Sequence, residues 1–211
     1  MKSITFNSFH QKRKSFLSKF KNHDHAVCVG DGGVLVSAPH GVSQVRLGMP
    51  KKSEIGSLAT AIYLHENNGC HLIAKTMNNN DDANFDFQSS YKTDVFQLIS
   101  DYNIKYFVDI HGLSSQRDVD INLGTHLGRN IEGNEGFLYL LQDALISNGF
   151  KTSIDQPFMA GSQTLSSSVK EKCNIWSLQI EINCGITNKS ENFNRCLLML
   201  EILSDWLRKL R

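Results

Sequence analysis

The sequence has no apolar run long enough to cross a bilayer and no apolar stretch behind its N-terminal lysines. A membrane-spanning role and a secretory leader are therefore not expected. It has no CxxC pair, and its five cysteines (Cys28, Cys70, Cys173, Cys184 and Cys196) are an odd number. That argues against a disulfide framework or a cysteine-rich zinc module, and it fits reduced thiols in a cytoplasmic protein. A net charge of only +1 exerts no overall pull toward nucleic acid or a membrane surface. There is no GxSxG elbow for a serine hydrolase. "GDGG" follows a strand but leads into another strand, which excludes a P-loop or a dinucleotide fold.

What is present is an ordinary globular composition, 40% hydrophobic and 20% charged, over 211 residues. That length suits one sizeable core and is short for two domains. The first 22 residues hold six lysines or arginines and no acid. An arm for nucleic acid or a membrane is conceivable, but a solvated helix or frayed extension over residues 1–24 is the expectation. Residues 25–211 then form the single domain, with neither nucleic acid nor membrane as partner.

Strand-like and helix-like patterns alternate from about residue 25. "HAVCVGDGGVLVSAP" reads as two strands joined by the "GDGG" turn. "SEIGSLATAIYLHENNG" reads as a helix with Ser53 as N-cap, Ile55, Leu58, Ala59 and Ile62 as its apolar face, and Gly69 as terminator. "CHLIAK" is a strand, "YKTDVFQLISDYN" a helix, and "IKYFVDI" an apolar strand of the kind covered on both faces. Further strands follow at "VDINLGT", "KTSI" and "IWSLQIEIN", and further helices at "NEGFLYLLQDALISNG", "TLSSSVKEKC" and the amphipathic "SENFNRCLLMLEILSDWLRKL". The alternation predicts one α/β domain with a mixed, mostly parallel sheet flanked by helices. Long loops fall at residues 41–53, 76–90 and 155–163, where function concentrates.

In such sheets, sites form at the carboxyl ends of strands. "VSAPHG" ends in His40, "VDIHG" in His111, and "LQIEIN" carries Glu181. Glycine after each histidine lets the backbone turn away, so that each imidazole faces a crevice. Two neutral imidazoles and a carboxylate are natural zinc ligands, with a position left open for water. Of the eight histidines, only His126, after "NLGT", is a rival.

"SAPHG", a following "E…LA" helix, "DIHG", "INLGT" and "QIEIN", in this order, resemble the N-formylglutamate amidohydrolase family, whose wider relatives are zinc carboxypeptidases and aspartoacylases. The resemblance covers residues 34–185 and implies a zinc-carboxypeptidase-like (phosphorylase/hydrolase-like) fold. It implies His40 and His111 as zinc ligands and Glu181 as the catalytic carboxylate. The carboxypeptidase and aspartoacylase relatives have a glutamate three residues after the first histidine, where this chain has Ser43. Glu54, at the start of the next helix, is the choice for third ligand, with Asp82, Asp86 and Asp120 as alternatives. Asp109 is a candidate to orient His111. Asp82 and Asn84 match an Asp–x–Asn near the family's site and are candidates to order the loop over the crevice.

The expected activity is zinc-dependent hydrolysis of an amide in an N-acyl amino acid, such as N-formylglutamate, or in a small peptide. Glu181 is expected to shuttle the proton, and Arg46 and Arg117 to supply cations for the oxyanion or an acidic substrate. Two alternatives stay open: a cysteine–histidine hydrolase using Cys184, and a non-catalytic metal- or ligand-binding protein that keeps the fold.

Overall fold

Alternation along two central strands sets the layers. The computed structural model describes residues 4–210; residues 1–3 of the basic stretch and residue 211 lie outside it. In chain order the elements are α1 (Phe6–Lys19), β1 (His25–Cys28), β2 (Val34–Ala38), β3 (Gln44–Arg46), β4 (Met49–Lys51), α2 (Ile55–Asn68), β5 (His71–Lys75), α3 (Ser90–Asp101), β6 (Tyr106–Leu113), β7 (Ile121–Gly124), α4 (Glu135–Ser147), β8 (Thr152–Ile154), α5 (Leu165–Cys173), β9 (Trp176–Asn183), α6 (Cys184–Thr187) and α7 (Phe193–Lys209). Seven strands make one sheet in the order β1-β5-β2-β6-β9-β7-β8. β5, β2, β6 and β9 run parallel, while β1 is antiparallel to β5, and β7 to β9.

In β6, Val108 and Ile110 point into the core shared with α2 and α7, as do Leu178, Ile180 and Ile182 of β9. A strand's period of two therefore sends Asp109, His111, Gln179 and Glu181 to the opposite face. There, a smaller apolar cluster of Leu35, Phe107, Tyr91, Val95, Leu165 and Val169 joins α3 and α5 to the sheet. β6 and β9 pair with His111 opposite Glu181, so those two side chains stand beside one another.

The chain leaves β2 through α2 to β5 on one side, then returns through α3 to β6 on the other. The carboxyl ends of β2 and β6 therefore flank a topological switch point, where an open α/β sheet has its crevice. His40 lies just beyond β2 and His111 near the end of β6.

Several expectations need correction. "GDGG" is not a hairpin turn: β5 lies between β1 and β2, and the connection crosses the end of β5, where the Asp31 N–H donates to the Gly69 carbonyl at 2.7 Å. The expected loop at 41–53 contains the two-stranded hairpin β3–β4. Ser53 precedes the cap position, which Glu54 occupies without a side-chain capping bond. Ile55, expected on the apolar face, is exposed, while Leu58, Ala59 and Ile62 are buried. Gly69 does terminate α2, in the left-handed region at φ 66°.

The basic stretch is also not a solvated extension over its helical part. Phe9 of α1 is 1% exposed, and Phe6, Phe16 and Leu17 pack against the main core. Arg13 donates to the Gly41 carbonyl at 2.9 Å and Lys12 pairs with Glu66, so the charges line the outer flank of an amphipathic helix. Phe9→Ala is expected to cost about 3–5 kcal/mol of stability. Urea unfolding checks this, and an unchanged midpoint would mean that α1 is dispensable.

Candidate metal centre

Glu54 closes the gap between the two histidines. Its backbone N–H donates to the His40 carbonyl at 2.9 Å, which fixes the start of α2 against the end of β2. Its carboxylate turns inward, with Oε1 2.9 Å from His40 Nδ1 and Oε2 3.3 Å from His111 Nδ1. The Gly112 N–H donates to Oε2 at 2.8 Å. A Cβ at Gly112 would meet the Glu54 Cβ at 3.0 Å, so the glycine gives Glu54 room to lie over the strand. A first-turn glutamate ordinarily serves the helix dipole; here it serves the crevice.

The far side of each imidazole meets another carboxylate. His40 Nε2 is 2.9 Å from Asp82 Oδ1, and His111 Nε2 is 3.0 Å from Asp109 Oδ2. Asp109 and His111 share one face of β6, which brings them together without any bend in the strand. With Nε2 of each ring donating to its aspartate, both Nδ1 atoms turn lone pairs inward, and they lie 3.1 Å apart. Two lone pairs and a carboxylate facing one another call for a cation between them. The donor atoms of His40, Glu54 and His111 all lie within 4.8 Å of one another. Two imidazoles and one carboxylate are a catalytic zinc set, and an outer aspartate on each histidine fixes its tautomer. The residues present thus fit a divalent metal.

Without a metal, protons on the imidazoles supply the positive charge that this arrangement calls for. Burial alone would raise the Glu54 pKa, yet the charges of His40 and His111 hold it well below the usual carboxylate range. Burial would lower that of His111, but Asp109 and Glu54 raise it well above its ordinary value. Asp82 resists its own burial in the same way, held low by hydrogen bonds from His40 and Arg46. The pocket is built to hold positive charge.

Glu181 stands apart from this pattern. Burial and the neighbouring Glu54 charge push its pKa up to about 7, against the pull of His111 and His40. Gln179, two residues earlier on the same face of β9, donates from Nε2 to Glu181 Oε1 at 3.0 Å. Both line a cleft of about 400 Å³ together with His40, Glu54 and His111. Phe158 and Met159 of the 155–163 loop form part of its wall.

The other expected residues divide. Arg46 lines the cleft, held by Nε to Asp82 Oδ2 at 2.6 Å with its guanidinium 5.1 Å from the Phe85 ring centre. Arg117 is exposed and does not line the cleft; it stacks on Phe158 at 5.2 Å. Asp82 sits behind His40 rather than beside the central lone pairs, and it orders its loop by accepting the Asn84 and Phe85 N–H groups at 3.0 and 3.2 Å. Asn84 ties that loop to α5 by accepting the Leu165 N–H at 2.7 Å. Asp86 accepts the Asp82 N–H, and Asp120 is engaged with Arg195 and the Lys151 N–H, so neither reaches the histidines. Ser43 is exposed. His126 contacts Ser167, and Cys184 begins α6 outside this cleft, one of five free cysteines. Reading the sequence missed Lys51 and Gln179. Lys51 bonds Glu54 Oε1 from the end of β4, and its only signal was a position three residues before Glu54. Gln179 was legible as the residue two before Glu181, on the same strand face.

No family model matches the sequence, and no curated protein matches it. Solved structures do match. An N-formylglutamate amidohydrolase from Ralstonia eutropha JMP134 superposes with a TM-score of 0.60 at 14% identity, covering 89% of this chain and 99% of that one. A bacteriophage poly-gamma-glutamate hydrolase gives 0.54 at 14% identity, covering 90% of each chain. A metallo-carboxypeptidase from Burkholderia cenocepacia gives 0.52 at 9% identity, covering 95% of this chain and 70% of that one. The fold is zinc-carboxypeptidase-like. Within the zinc-carboxypeptidase-like sheet, the crevice at the ends of β2 and β6 is where the histidines, Glu54 and Glu181 meet. No helix among the described residues is long and apolar enough to cross a membrane.

Proposed function

We propose that this chain is a zinc-dependent amidohydrolase cleaving the amide bond of an N-acyl amino acid of the N-formylglutamate kind, or of a small peptide, in the cytoplasm. One observation carries the reading: the Nδ1 atoms of His40 and His111, the Glu54 carboxylate, and a neutral-range Glu181 converge in one cleft.

His40, Glu54 and His111 would hold the ion. When bound, zinc supplies Lewis-acid polarisation of the substrate carbonyl and acidifies water. Glu181 takes one proton from the attacking water as its oxygen bonds to the carbonyl carbon, and the carbonyl electron pair moves onto oxygen. When that pair re-forms the double bond, the C–N bond breaks and Glu181 hands its proton to the leaving nitrogen. The products are a carboxylic acid and an amine. Asp109 and Asp82 keep the two imidazoles oriented, Gln179 holds Glu181 in place, and Phe158 and Met159 form part of the cleft wall.

The substrate class draws support from Arg46, whose exposed edge in the cleft suits a carboxylate. It also draws support from the N-formylglutamate and poly-gamma-glutamate hydrolases that share the fold. Elemental analysis of purified protein should find about one zinc per chain, and the loaded protein should hydrolyse members of an N-acyl amino acid and small-peptide panel. Metal-bearing protein inert toward the whole panel would favour a binding protein instead. Asp109→Asn should weaken zinc binding roughly 10–100-fold, because the outer partner fixes the His111 tautomer. Competition with a chromogenic chelator measures it; unchanged affinity would remove Asp109 from the account.

A further inference from the structure

Two cations line the cleft, and they are held differently. Arg46 is fixed by Asp82 and by the Phe85 ring. Among the described residues Lys51 bonds Glu54 Oε1, the same oxygen that faces His40. An ordinary i,i+3 ion pair on a surface contributes little, but this carboxylate is only 10% exposed and already faces two imidazoles. Lys51 also lines both the main cleft and a second cavity of about 360 Å³, and Glu54 lines both as well. Its four-carbon stem leaves the ammonium free to swing between them. Glu181 lines the same main cleft.

We infer that Lys51 is a catalytic residue: its ammonium neutralises Glu54 in the metal-free protein and, once that carboxylate is engaged, donates a hydrogen bond to the substrate oxygen on which negative charge builds. The proposed role adds a hydrogen bond and transfers no atom. Arg117, the cation expected from sequence, stands outside the cleft, and Arg46 is tied to Asp82. That leaves Lys51 as the flexible donor that the proposal sets beside the reacting carbonyl. A competing cation at Glu54 also tunes metal affinity, so the same side chain has a role in each state.

The inference rests on the amidohydrolase reading, but two of its readouts need no turnover. Lys51→Met should bind zinc at least about tenfold more tightly, because a like charge beside the ion is gone. The zinc-loaded variant should bind a phosphonamidate, an anionic mimic of the tetrahedral species, roughly 100-fold more weakly than wild type, and kcat should fall roughly 100–1000-fold with KM little changed. Lys51→Arg should recover part of the loss, and matched thermal unfolding curves exclude misfolding. Unchanged phosphonamidate affinity or unchanged kcat overturns the role of Lys51 while leaving the amidohydrolase intact. Wild-type protein that binds no zinc overturns both.

Discussion

Glu181→Gln is expected to keep its metal and lose turnover by roughly 10²–10⁴-fold, the range for removing a positioned general base. Glutamine keeps the shape and still accepts from Gln179, so the β6–β9 register with His111 opposite position 181 is undisturbed. What it cannot do is take a proton. A carboxyl with its pKa pushed up to about 7 by burial and by Glu54 is matched to that task near neutrality. The wild-type kcat/KM should therefore rise with pH along a limb whose midpoint lies at or below about 7, since a bound dication can only favour the ionised form. The limb should be absent from the residual activity of the variant. Linkage gives a second sign. A folded-state pKa above the ordinary carboxylate value of 4.5 means that Glu181 favours folding below about pH 4.5, and that this contribution is lost as pH rises through about 7. In the metal-free protein, Glu181→Gln should gain stability relative to wild type over that window. Full activity in the variant would remove Glu181 from the mechanism.

Glu54→Ala carries the second large effect. It removes the carboxylate that faces both imidazoles, so zinc affinity should fall by more than the roughly 10–100-fold that loss of an outer partner costs. Asp82→Ala is the informative contrast. Asp82 touches Nε2 of His40, on the opposite side of the ring from the central lone pairs, and can supply a ligand only if that ring turns over. Its loss should cost no more than an outer partner does. Isothermal titration of both variants with zinc decides the order; a larger loss at Asp82 would transfer the third-ligand role to it.

His40, His111 and Glu181 were legible because each ends or nears the end of an apolar strand, and strand ends are where an open sheet collects its chemistry. The layering was legible too, since the near-continuous apolar run "IKYFVDI" marks a strand covered on both faces, and apolar clusters do lie on both. The failures have a common cause: they depend on what lies across space rather than along the chain. The strands flanking "GDGG" are parted by β5, which arrives forty residues later. The basic N-terminus hides a packing face in Phe9, while its charges dominate the local pattern. Lys51 looks like one more surface lysine until β3–β4 folds back over Glu54. Arg117 lies six residues after His111 but is exposed and stacks on Phe158 rather than lining the cleft. Glu54 was chosen as third ligand from its place in the chain, and the structure sets its carboxylate between the imidazoles.

The central claim is that two imidazoles and one carboxylate hold a zinc ion, and X-ray absorption at the zinc edge tests it most directly. The account predicts a first shell of nitrogen and oxygen only, at about 2.0–2.2 Å, with the outer scattering of two imidazole rings that is lost in His40→Ala and His111→Ala. Sulfur scattering at about 2.3 Å, or a spectrum unchanged by both substitutions, would contradict it.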